Sequence, residues 1–158
     1  MLNVNIVSIG KLKENYLKDA VAEYQKRLSP FCKFSVIELD EYRLNDNPSQ
    51  AQIDLALKDE GERILKKVDG STVVALCVEG KQMPSEEFSK FIGNTCITSS
   101  SISFVIGGSF GLSNEVKAAA KLKLSFSKMT FPHQLMRVIL CEQIYRAFMI
   151  EKGTKYHK

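Results

Sequence analysis

The sequence predicts a single α/β domain built on a mostly parallel sheet, on two observations. Strand-like and helix-like segments alternate along the chain. Two strand candidates, "STVVALCV" (71–78) and "ISFVIGG" (102–108), are apolar almost without interruption, as strands buried on both faces are. The 158 residues suit one domain with a real core, and no repeat, low-complexity segment or boundary divides 1–158.

The elements follow in order. "NVNIVSIG" is a short β-branched run closed by Gly10. Leu12, Tyr16, Leu17, Ala20, Val21, Tyr24 and Leu28 then recur at helical spacing. "FCKFSVIEL" is a second strand, and "DEYRLNDNPSQ" is a polar connection. Ile53, Leu57, Ile64, Leu65 and Val68 mark a second amphipathic helix. After "STVVALCV" comes the loop "EGKQMPS". Ser85 is expected to cap the helix "EEFSKFIGN", with Glu86 and Glu87 favourably placed in its first turn. Ser113 is expected to cap "NEVKAAAKL", and "KLSFS" is a last strand. A long helix follows Pro132, apolar almost all round through Leu135, Met136, Val138, Ile139, Leu140, Ile144, Phe148 and Met149. Such a helix must be covered on every side, which predicts a second subunit and a homodimer.

Composition sets limits. Hydrophobic residues at 44% and charged residues at 25% suit a globular chain, and no apolar run is long enough to span a bilayer. The N-terminal stretch reads as a strand and not as a secretory leader, so a cytoplasmic location is expected. Cys32, Cys77, Cys96 and Cys141 are far apart, form no C-x-x-C pair and each have apolar neighbours. They read as small buried residues, with no metal site. Charge is uneven. Residues 114–158 hold nine Lys or Arg against three Asp or Glu, whereas 1–113 hold thirteen against fifteen. A basic C-terminal third suits a polyanion such as RNA, and equally suits a solvated surface.

In parallel sheets ligands sit at the carboxyl ends of the strands. Three loops leave candidate strands there: "EGKQMPS", "GGSFGLS" and "SKMTFPH". The second lacks the dinucleotide glycine spacing, with Ser109 and Leu112 at the later glycine positions, and no Walker-type loop exists. Each loop alone reads as a tight turn. Together they resemble the cofactor loops of the SPOUT methyltransferases, and within that class the ribosomal RNA large-subunit methyltransferase H family. The likeness runs from "GKLKENYLKDAVAEYQKRL" through "EGKQMPSEEF", "FVIGGSFGL", "LSFSKMTFPHQLMR" and "EQIYRAF" to the terminal "YHK".

That resemblance implies a SPOUT-type sheet flanked by helices, with a C-terminal deep trefoil knot. It implies S-adenosylmethionine-dependent methylation of N3 of a pseudouridine in helix 69 of 23S rRNA, with free rRNA or the assembled ribosome as the substrate. It places cofactor contacts on Leu76, Gly108, Ser127, Lys128, Met129, Thr130, Phe131 and Pro132. N3 must lose a proton, and His133, Arg137, Arg146 and His157 are the candidates for taking it or stabilising the anion. Arg137 and Arg146 either pair with Glu142 or, with Lys155, Tyr156, His157 and Lys158, face the RNA. Rival classes are a non-enzymatic RNA-binding module, which needs no set of strand-end loops, and a Rossmann-type nucleotide enzyme, which the glycine spacing disfavours.

Overall fold

The computed structural model describes residues 1–158. Ten elements alternate: β1 (Asn3–Ile9), α1 (Asn15–Leu28), β2 (Lys33–Leu39), α2 (Gln50–Lys67), β3 (Thr72–Lys81), α3 (Ser85–Thr98), β4 (Ser101–Ile106), α4 (Asn114–Ala119), β5 (Leu122–Leu124) and α5 (His133–Glu151). The five strands form one all-parallel sheet in the order β2-β1-β4-β3-β5.

The period-2 geometry of the strands sends alternate side chains to two separate cores. Val4, Ile6, Val74, Ile102, Phe104 and Leu124 pack with α1, α3 and α5. Val7, Ile9, Val73, Ala75 and Val105 pack with Ile64 and Val68 on the other face, where α4 adds Val116. Phe104 and Val105 are both wholly buried, so β4 has no wet face. That is why its sequence lacks alternation.

Local chemistry sets the boundaries. A reciprocal Ser49–Gln52 capping box starts α2, and Ser113 accepts the Val116 N–H to start α4. The expectation for Ser85 is corrected. Pro84 occupies the cap position, and the Ser85 hydroxyl donates instead to Gln143 Oε1 of α5 at 2.8 Å. Pro132 likewise opens α5. The helix α3 continues past Asn94 to Thr98, and the last strand is shorter than "KLSFS" suggests.

The long helix is covered within one chain more fully than its pattern implies. It lies against α1 and α3 over the sheet, burying Leu140, Cys141, Ile144, Ala147, Phe148 and Met149. Leu135 at its start remains exposed. No helix is long and apolar enough to cross a membrane.

One irregularity shapes everything near the carboxyl edge. Leu124 of β5 pairs with both Leu76 and Lys81 of β3, so residues 77–80 bulge out of the ladder. Beyond the bulge the Ser125 N–H donates to the Lys81 carbonyl at 2.9 Å. At Gly80 the two backbones cross: a Cβ there would lie 2.8 Å from the Leu124 backbone. Only glycine allows that approach. We expect Gly80→Ala to lower stability by about 3 kcal/mol, the upper end for overpacking, because backbone has no rotamer by which to yield. Urea unfolding checks this, and an unchanged midpoint would refute the crossing as a tight constraint.

Candidate functional site

The bulge, the loop after β4 and the loop after β5 surround a single cavity of about 290 Å³ at the carboxyl end of the sheet. The bulge contributes Cys77, Val78 and Glu79, next to Leu76. The loop after β4 contributes Gly107, Gly108, Phe110, Gly111 and Leu112. The segment after β5 contributes Ser125, Ser127, Met129, Thr130 and Phe131, and α5 adds His133 and Met136. The volume is close to the roughly 300 Å³ lower end for small-molecule clefts.

Each loop is held by its own backbone chemistry. The Gly111 N–H donates to the Gly108 carbonyl at 3.1 Å, closing a tight turn in which Gly111 has φ 81°. A Cβ on Gly107 would lie 2.3 Å from the Gly111 carbonyl oxygen. Ser125 donates its hydroxyl to the Ser127 carbonyl at 3.0 Å, and Ser127 Oγ accepts the Met129 N–H at 3.0 Å. The absent Cβ of Gly108 would point at Ile9 Cγ2 (3.1 Å) and Glu41 Oε1 (3.3 Å). A side chain there would be tight against these two side chains behind the loop.

Glu79 and Lys117 are the only charged residues lining the cavity, and they pair with each other at 2.5 Å. The hydrogen bond from Lys117 holds the Glu79 carboxyl below the ordinary carboxylate value. Burial pushes the half-exposed Cys77 thiol up, away from nucleophile behaviour. Sequence reading missed Cys77 and Lys117 as cavity residues. Lys117 lies on α4, and nothing in "NEVKAAA" distinguishes it from a solvated lysine.

Most of the expected cofactor residues come together. Leu76, Gly108, Ser127, Met129, Thr130 and Phe131 all line the cavity. Lys128 is exposed and does not line it, and Pro132 borders a neighbouring apolar recess with Tyr16 and Leu135. The four candidates for proton chemistry separate. His133 alone lines the cavity.

Arg137 is 1% exposed, which corrects its assignment to an RNA-facing surface. It donates to Glu38 Oε2 at 2.6 Å and to the Gly10 carbonyl at 3.2 Å. Glu38 Oε2 also accepts the Leu12 N–H at 2.8 Å. Burial alone would raise the Glu38 carboxyl, but these hydrogen bonds hold it below its ordinary value. Arg137 therefore fastens α5 to the exits of β1 and β2 and does not pair with Glu142.

Arg146 does pair with Glu142, at 2.8 Å, and its guanidinium lies 4.8 Å from the Tyr156 ring centroid. The Tyr156 hydroxyl donates to Glu142 at 2.9 Å, and its ring meets Tyr145 edge-on. Burial and Glu142 push the Tyr156 phenol up to about 12. His157 links Glu86 through Nε2 at 2.7 Å and Arg146 through Nδ1 at 3.2 Å. Arginine can only donate, so Nδ1 accepts and the Nε2–H donates to the carboxylate. The tail is thus docked on α3 and α5, while Lys155 and Lys158 remain exposed. Neither His157 nor Arg146 lines the cavity of its own chain. The cysteine expectation holds for buried Cys32 and Cys141 and is corrected for Cys77, which is half-exposed, and Cys96, which is exposed; all four are free.

Comparison with known proteins agrees with this geometry. The family model described as "Predicted SPOUT methyltransferase" matches residues 2–157. The chain is 53% identical to the ribosomal RNA large subunit methyltransferase H of Clostridium kluyveri, over 99% of this chain and 100% of that protein. It is 54% identical to that of Streptococcus thermophilus, again over 99% and 100%. Among solved structures it resembles the tRNA (m1G37) methyltransferase of Aquifex aeolicus, with a TM-score of 0.56 and 10% identity, covering 92% of this chain and 69% of that one. It also resembles a Legionella pneumophila methyltransferase solved with bound SAM, with a TM-score of 0.50 and 11% identity, covering 93% and 66%.

Proposed function

Because the chain belongs to the SPOUT methyltransferase family, we propose that it uses S-adenosylmethionine to methylate N3 of a pseudouridine in helix 69 of 23S rRNA. The observation that carries this is the convergence of three strand-end loops on one cavity with mostly apolar and main-chain walls. The names of the relatives at 53% and 54% identity support large-subunit rRNA as the substrate. The N3 position and helix 69 rest on the motif resemblance.

The cavity suits the cofactor. Leu76, Met129 and Phe131 offer apolar surface for an adenine, and the glycine turn presents main chain at close range. Glu79 and Lys117 offer one charge of each sign to an amino-acid moiety that carries both. When bound, the cofactor supplies a methyl already activated on a sulfonium. The protein's main task is alignment, with the reacting atoms roughly 3–3.5 Å apart. N3 gives up its proton as the new N–C bond forms. In this reading His133, which lines the cavity from the first turn of α5, accepts it. Arg137 is excluded from contact with substrate by its burial.

The proposal includes the knot, a homodimer and a cytoplasmic site of action. Support for the knot is the close approach of β3 and β5 at Gly80, followed by a segment that lines one cavity with the ends of β3 and β4 before α5 packs against α1 and α3. Support for the dimer is the exposed apolar surface of Tyr16 and Leu135, contiguous with the recess at Pro132. The exposed Lys155 and Lys158, with Tyr156, His157 and Arg146, form the surface proposed to meet RNA, within the ribosome.

Three outcomes test the proposal. Cells lacking the gene should lose one methylpseudouridine in 23S rRNA by mass-spectrometric mapping. The wild type should restore it, and Thr130→Trp, which adds bulk to the cavity wall, should not. Calorimetry should show at least a tenfold loss of S-adenosylmethionine affinity in that variant. An unaltered rRNA map would end the substrate assignment. Removing residues 154–158 should leave cofactor affinity unchanged but strongly reduce methylation, and binding of rRNA by the intact chain should fall steeply with salt. Normal methylation by the truncated chain would remove the tail from the reading. Sedimentation should give a dimer at micromolar concentration, and Leu135→Glu should shift it to monomer; a monomeric wild type would refute the dimer.

A further inference from the structure

The connection between β2 and α2, residues 40–49, belongs to none of the three cofactor loops, yet it reaches one of them. Glu41 Oε1 accepts the Ser109 hydroxyl at 3.0 Å. The same oxygen lies 3.3 Å from where a Gly108 Cβ would be, so the carboxylate sits directly behind the glycine turn. The next residue is anchored from below: the Tyr42 N–H donates to Glu60 Oε2 at 2.9 Å, and Glu60 on α2 is buried. The following residue of α2, Gly61, presses on the far end of the same loop. A Cβ there would lie 2.4 Å from Ser113 Oγ, the hydroxyl that caps α4. The helix α2 therefore braces the glycine turn at both ends, through Tyr42 and Glu41 on one side and against Ser113 on the other.

We propose that Glu41 is a positioning residue for the cofactor turn, fixing Gly107–Gly111 through Ser109 in the conformation that forms the cavity wall. This rests on the reading of that cavity as the S-adenosylmethionine site. The Glu41–Ser109 bond is solvent-exposed and would be weak if both ends were free. Glu60 makes it effective, because a carboxylate carried on an anchored backbone has less freedom to lose. Glu41 does not line the cavity, so its effect passes through the turn to cofactor binding and not to the methyl-transfer step.

The test compares Glu41→Ala, Ser109→Ala, the double variant and Glu41→Gln in the full-length chain. Amide hydrogen exchange of residues 108–111 in the ligand-free protein should accelerate several-fold in both single alanine variants. The KM for S-adenosylmethionine should rise on the order of tenfold, while kcat at saturating cofactor changes less than twofold. The double variant should be no worse than either single variant, since both remove one interaction. Glu41→Gln, whose amide oxygen still accepts, should recover most of the loss. Unchanged exchange in Glu41→Ala overturns the proposal, as do additive effects in the double variant. If wild-type protein failed to bind S-adenosylmethionine, the cofactor reading would fall, and the exchange measurement would still decide the role of Glu41.

Discussion

The passage of β5 across the end of β3 governs the carboxyl edge of this protein. Leu124 pairs on both sides of the 77–80 bulge, and the two backbones meet at Gly80 with no room for a side chain. Without the bulge, Cys77, Val78 and Glu79 would continue a regular ladder against β5 and leave no wall for the cavity. Without the crossing, residues 125–132 would not lie across the same opening. A single register jump therefore supplies one side of the site and the path of the chain that supplies another. It also delivers α5 to the face that carries α1 and α3.

The position of α5 creates an electrostatic demand, and Arg137 shows how it is met. A guanidinium in a core is tolerated only when paired and hydrogen-bonded. Glu38, one-third exposed at 34%, and the Gly10 carbonyl meet this need, although Arg137 Nε has no partner. The helix carrying the cavity's histidine is thereby locked to the exits of two strands. The basic character of the C-terminal third is consequently not all available to a polyanion. Arg137 is internal and Arg146 is shared between Glu142, His157 and the Tyr156 ring. Much of the net excess that remains outward is lysine: Lys128, Lys152, Lys155 and Lys158 are exposed.

The sequence made the fold legible because its signals were local. Uninterrupted apolar runs identified β3 and β4, and the spacing of Leu17, Val21 and Leu28 marked the buried face of α1. Ser113 announced the start of α4. Ser85 misled because a serine before two acidic residues fits a cap, while its real partner, Gln143, is distant in sequence. The cavity was legible through motifs more than through physics: Leu76, Gly108 and most of 127–132 line it, but their grouping came from resemblance. What stayed hidden was long-range. A register jump has no composition, so "LCVEGK" looked like a strand and then a loop. Nothing in "DEYR" indicates that Glu41 stands behind the glycine turn or that Glu60 holds Tyr42. The all-round apolar pattern likewise could not say that α1 and α3 are the elements of the chain that cover α5.

The two ends of the sheet show why such a site leaves so faint a side-chain signature. At the amino end, strands are stitched by side chains: Ser35 donates to Asn5, Asn5 donates to Ser101 and Ser103, and Ser71 lies within hydrogen-bond distance of both serines. The hydroxyls and amides there are spent on one another, and the edge is closed. At the carboxyl end more of the corresponding work falls to main chain, Gly111 to Gly108 and Ser125 to Lys81, with the Met129 N–H donating to the Ser127 hydroxyl. These bonds turn the chain sharply around the opening. A binding surface made this way selects for glycine, small hydroxyls and apolar walls, and needs few ionisable groups. Glu79 and Lys117 are the exception, and they neutralise each other.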